Sequence, residues 1–123
     1  FLQAQGLILI AQNWQQPKVG ELDLIMLEKG QAWSILVFIE VRQRQRSGFG
    51  NAALSVTKSK QYKIIKAARY FLQQHPEYND YECRFDVIAY DTNTKNNSRD
   101  VKETTSKNTQ PEWLQGAFIA SAW

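Results

Sequence analysis

Cysteine and histidine are almost missing from this chain, each occurring once in 123 residues. Cys83 cannot close an internal disulfide, and no Cys/His cluster offers a zinc site. Ser-His or Cys-His catalysis would have to run through His75, wedged against Pro76, and is set aside. Also missing is any apolar run near the roughly 18–20 residues that a membrane-crossing helix needs. No charged-then-apolar leader with a small-residue cleavage site opens the chain. The expectation is therefore a cytoplasmic protein with no membrane contact. A composition of 43% hydrophobic and 22% charged residues argues against disorder of the whole chain, because it is close to that of ordinary globular domains. The length leaves room for a single domain over 1–123 and not for two.

The most informative absence is local. From Val41 to Pro76 there is no Asp or Glu, while Arg42, Arg44, Arg46, Lys58, Lys60, Lys63, Lys66 and Arg69 place a net +8 on 36 residues. The other 87 residues carry a net −5, so the overall +3 conceals a segregated chain. One reading is a solvated helix face joined to a basic loop. The other is a phosphate-binding surface, for which Arg42, Arg44, Arg46, Lys58, Lys60, Lys63 and Lys66 are the candidate nucleic-acid contacts.

Periodicity then divides the chain into elements. Phe1 to Gly6 reads as the last turn of a helix closed by a C-terminal glycine, so the natural protein is expected to begin upstream of Phe1. Leu7 to Ala11 is a short apolar run that predicts a strand covered on both faces, followed by a loop over 13–19. The segment from Gly20 to Leu27 and the return from Trp33 to Arg42, joined through Lys29-Gly30-Gln31, predict an antiparallel hairpin. The run 35–39 is apolar on both faces, as a central strand would be. Thr57 is placed to cap a helix running to about Gln74 and stopped by Pro76. Its apolar stripe is Ile64, Ala68, Phe71 and Leu72, opposite a ridge of Lys60, Lys63, Lys66 and Arg69. A further strand is expected over 83–90, with Arg84 and Asp86 read as a structural ion pair. Residues 92–110 read as a mobile polar loop, and 111–118 as a segment that docks back on the core.

Three carboxylates fall on the hairpin: Glu21, Asp23 and Glu40. Residues two apart on a strand share a face, so Glu21 and Asp23 are expected to converge with Glu40. Like charges at that range repel, and a divalent cation relieves the repulsion. Hard oxygen ligands select Mg²⁺ or Mn²⁺, making Glu21, Asp23 and Glu40 candidate metal ligands. Such a metal would polarise a phosphodiester and acidify its bound water. Arg42, two residues past Glu40, would then contact a phosphate oxygen. The alternatives are an amphipathic hairpin with a wet face and an internal Glu40–Arg42 pair.

The order Asp23, then Glu40-Val41-Arg42, resembles the Asp…Glu-x-Lys pattern of the restriction-endonuclease-like nucleases. Residues 20–25, 37–42, 55–61 and 83–87, taken in order, are similar to the bacterial YraN family. That family's fold is similar to Holliday-junction resolvases. The resemblance implies an α/β fold: a central mixed sheet with an antiparallel hairpin, flanked by helices. It implies a Mg²⁺- or Mn²⁺-dependent endonuclease acting on DNA, with branched or junction DNA as a candidate substrate, and a homodimer as the acting form. Residue by residue, it makes Asp23 and Glu40 metal ligands and puts Arg42 at the catalytic lysine's place. Arginine keeps its proton in proteins and cannot serve as a general base. Lys60, in the first turn of the basic helix, is the candidate for the displaced amine. The rival expectation is a non-catalytic nucleic-acid-binding module on the same fold.

Overall fold

A computed structural model describes residues 2–44, 56–91 and 111–120. The chain opens with a short 3₁₀ turn, Gln3–Gln5, closed by Gly6 at φ +97°. Three antiparallel strands follow: β1 (Ile8–Gln16), β2 (Gly20–Lys29) and β3 (Ser34–Arg44). Helix α1 (Lys58–Gln74) crosses over to β4 (Glu82–Asp91), which lies parallel to β3, and β5 (Glu112–Phe118) pairs antiparallel with β4. The strand order is β1-β2-β3-β4-β5, so β3 is the middle strand, as its two-sided apolar run requires. This is an α/β fold with a mixed sheet and an antiparallel hairpin.

Helix α1 forms where its sequence places it. Thr57 accepts the Lys60 N–H through Oγ1 at 3.1 Å, capping the first turn, and the helix ends at Gln74, two residues before Pro76. Ile64, Ala67, Ala68 and Phe71 are its buried side, spaced as one helical face. Phe71 meets Trp14 and Phe38 edge-on, with ring centroids 5.7 and 6.1 Å apart. Burying a side chain of that size stabilises the fold by about 1.5–3 kcal/mol. Beneath lie Ile25, Leu27, Leu36, Phe38, Phe85 and Val87. The opposite sheet face carries Met26, Val37, Ile39 and Ile88, covered by Leu2 and Leu7 of the opening segment. Among the described residues, then, one α-helix covers one face, where flanking helices were expected.

Other boundaries also differ from expectation. β1 is longer than its apolar run and is an edge strand, with Ile8 and Leu9 exposed. Its polar second half, 12–16, pairs with β2 and shrinks the expected loop to a turn at 17–19. Polar residues suit an edge that faces water, which the apolar pattern alone did not show. Residues 111–118 dock as the other edge strand. Residues 45–55, which include Arg46 and were expected to form a basic loop, and residues 92–110, expected to form a polar loop, lie outside the described residues, as does the side chain of Arg44. No helix among the described residues is long and apolar enough to cross a membrane.

Candidate active site

Glu40 follows Phe38 by two residues on β3 and so shares its helix-side face, at the end of the strand that runs beneath the first turn of α1. Only 6% of it is exposed. Two cations reach its Oε2: Arg42 Nη1 donates at 3.4 Å, and Lys60 Nζ lies at 3.9 Å. Lys60 is held there by the cap, because the Thr57 hydroxyl fixes the turn from which it projects.

Asp23 comes from β2, across the hairpin. The paired register runs from Lys29↔Ser34 to Leu24↔Ile39. At the next position the Asp23 carboxylate stands in for a main-chain acceptor, with Oδ2 taking the Val41 N–H at 2.8 Å. A carboxylate that terminates the ladder in this way is anchored by a charge-assisted bond. It lies near enough to Glu40 for its charge to act there.

The Glu40 carboxyl is pushed above its ordinary value, first by burial and then by the Asp23 charge, while Lys60 and Arg42 pull it back. The ionised form of Glu40 is thus less favoured than in water, chiefly because the carboxyl is buried. The contacts described occupy Oδ2 of Asp23 and Oε2 of Glu40. Oδ1 and Oε1 carry none of them, leaving two hard oxygen donors. Mg²⁺ typically takes one or two carboxylates and completes its shell with water and phosphate oxygens, so this donor set fits it. Arg42 Nε is buried without a hydrogen-bond partner. A buried donor left unmatched costs free energy.

Glu21 is not brought to this pair. It is exposed and accepts from Gln15 Nε2 at 3.2 Å, across the β1–β2 ladder. The strict alternation fails because Leu22 is buried on the helix side together with Ile25 and Leu27, which turns Glu21 outward. Among the described residues no three of His, Cys, Asp and Glu come together as a metal cluster. The expected triad is thus a pair. Of the basic residues, Arg42 and Lys60 join the carboxylates, while Lys58, Lys63 and Lys66 stand exposed on α1.

Arg84 and Asp86 form the expected ion pair. Asp86 is fully buried and accepts from Arg84 Nε and Nη2, Trp113 Nε1 and the Gly116 N–H at 2.9–3.0 Å. With four donors satisfied, it is a structural anchor. Two residues absent from the sequence reading line a hollow beside Lys60: Lys18 in the β1–β2 turn and Tyr62 on α1. An aromatic residue set among lysines in 58–66 was the available signal for Tyr62.

Comparison with known proteins bears on the whole of this arrangement. A UPF0102 protein of Psychrobacter arcticus is 70% identical over this entire chain, which covers 76% of the relative. Another, from Psychrobacter sp. strain PRwf-1, is 56% identical over the entire chain, covering 82% of the relative. A UPF0102 protein of Pseudomonas savastanoi pv. phaseolicola is 53% identical over 72% of the chain and 68% of its own length. The family pattern spans residues 1–90, and so takes in β1 to α1, nearly all of β4, and Asp23, Glu40, Arg42 and Lys60. By that match this chain belongs to the uncharacterised protein family UPF0102.

Proposed function

We propose that Asp23 and Glu40 form the centre of a divalent-metal-dependent phosphodiesterase that hydrolyses DNA, with branched DNA as the form to test first. The observation that carries this reading is a buried Glu40, beside Asp23, with the Lys60 amine 3.9 Å from its Oε2. Oδ1 of Asp23 and Oε1 of Glu40 would hold Mg²⁺ or Mn²⁺. The bound metal would polarise the phosphodiester and lower the pKa of its water. The chain's own residues do the rest. Lys60 stands where an amine can orient the attacking water or neutralise the leaving oxygen, and so supplies the group that Arg42 cannot. Arg42, always charged, stabilises the negative charge that develops on the phosphoryl oxygens.

Labelled linear, nicked, flap and four-way DNA incubated with the protein in Mn²⁺ or Mg²⁺ tests the reading. At least one substrate should be cleaved by the wild type, and cleavage should be lost in Asp23→Ala and Glu40→Gln. No cleavage of any substrate, or equal cleavage by Asp23→Ala, removes the enzyme.

A second reading, DNA binding without cleavage, is favoured by the arginine at position 42 and by the two cations already on Glu40. Isothermal titration with Mn²⁺ separates the two. Heat that disappears in Glu40→Gln supports the metal centre, and DNA binding with no Mn²⁺ heat supports the module.

A further inference from the structure

The outer side of α1 is not a uniform charged ridge. A cavity of about 650 Å³ lies between the β1–β2 turn and α1, with Lys18 on one wall and Lys60, Lys63 and Lys66 on the other. That falls within the roughly 300–1,000 Å³ of pockets that hold small-molecule ligands. Glu21 is the acid among the lining residues, and Gln15 donates to it. A second hollow of about 370 Å³ opens on the other side of the helix, lined by Lys58, Ile65, Lys66, Arg69 and Ile119. Tyr62 and Lys66 line both hollows and so form the crest between them. Tyr62 is 67% exposed, although a ring of that size is ordinarily buried on at least one face.

We infer that this crest binds an unpaired nucleic-acid strand, with one base stacked on Tyr62 and the flanking phosphates held in the two basic hollows. Every base offers a π-face, so an exposed ring among lysines takes single strands with little regard to sequence. A duplex cannot use it in the same way, since its base faces are already stacked on one another. Charge complementarity is local: cations line both sides of the ring and none of the crest residues is acidic. Lys60 belongs to the larger hollow and also reaches Glu40, so a strand leaving Tyr62 through that hollow arrives at the carboxylates. This last placement rests on the phosphodiesterase reading, whereas the stacking contact does not. The substrate it selects is a nucleic acid with a single-stranded flank next to the bond attacked.

Fluorescence anisotropy with a labelled dT20 and a labelled 20-base-pair duplex, both in EDTA so that no cleavage intervenes, tests the crest. The wild type should bind dT20. Tyr62→Ala should weaken dT20 binding about 5- to 150-fold, the range for loss of one stacked base, with duplex affinity held within about twofold. Tyr62→Phe, which keeps the ring, should restore dT20 binding. Circular dichroism checks that the variants are folded, which the exposure of Tyr62 leads one to expect. Failure of the wild type to bind dT20, an unchanged affinity in Tyr62→Ala, or an equal loss on both DNAs overturns the proposal. Binding is read in EDTA, so it reports the crest whether or not the carboxylate pair cleaves DNA. A dead carboxylate site with an intact crest, or the reverse, is therefore seen as such.

Discussion

Glu40 sits where burial and Asp23 disfavour its charge while Arg42 and Lys60 favour it, and the first pair prevails. That balance has a sign that stability measurements can read. A carboxyl raised in the folded state binds its proton more tightly there than in the unfolded chain, so its ionisation costs stability. The cost is present in full above the folded pKa, shrinks as pH falls through it, and is gone below the ordinary value of 4.5. Glu40→Gln, which is neutral throughout, should therefore raise the thermal midpoint at pH 7. The difference from wild type should close as pH is lowered towards 4.5. Scanning calorimetry at a series of pH values checks this, and a midpoint lowered at pH 7 would mean that the ion pairs with Arg42 and Lys60 outweigh the burial.

The pairing of β4 with β5 depends on one side chain. The register slips between Phe85 and Val87, and the Asp86 carboxylate fills the gap by accepting the Gly116 N–H. Gly116 stands at φ +62°, a backbone conformation that other residues adopt only with strain. Arg84 and Trp113 supply the remaining donors, so the buried charge is matched on all sides. Asp86→Ala removes one partner from a buried ion pair and should cost about 3–5 kcal/mol in urea denaturation. A loss below about 1 kcal/mol would show that β5 holds without it. Mn²⁺ affinity should be unchanged, since Asp86 lies on the sheet face opposite Glu40. At the N-terminus of α1 the dependence is milder. Thr57→Ala should cost about 1 kcal/mol by freeing the Lys60 N–H.

Taken together, the charges make two territories: a basic stretch through β3's end and α1, and an acidic remainder. Long-range attraction for a polyanion is the physical consequence, and its measure is salt. If about four cations meet duplex phosphates, log K should fall against log salt with slope roughly −3 to −4. Lys63 and Lys66 are both exposed, so changing them together to Gln should flatten the slope by up to about 2 without unfolding the protein. Asp23→Ala should leave it nearly unchanged. A wild-type slope near zero would reduce the basic helix to a solvated face and remove both nucleic-acid readings.

Much of this was legible in one dimension. The cap at Thr57, the stop before Pro76 and the stripe through Phe71 are local, because a helix repeats every 3.6 residues and its ends need partners within a turn. The same holds for the hairpin, for the central place of β3, and for Arg84–Asp86, two residues apart on one strand. What the sequence could not decide is where non-local contacts override period and propensity. Glu21 obeys the alternation on paper and leaves the site because Leu22 is drawn to the helix-side core. Asp23 keeps its place because the Val41 N–H, 18 residues away, needs an acceptor at the end of the ladder. β1 extends through polar residues because an edge strand has water on one side. The candidate residues were therefore set by local pattern. Their number fell from three carboxylates to two, with Lys60 joining them, because only the packed sheet and the crossover of α1 determine which side chains share a space.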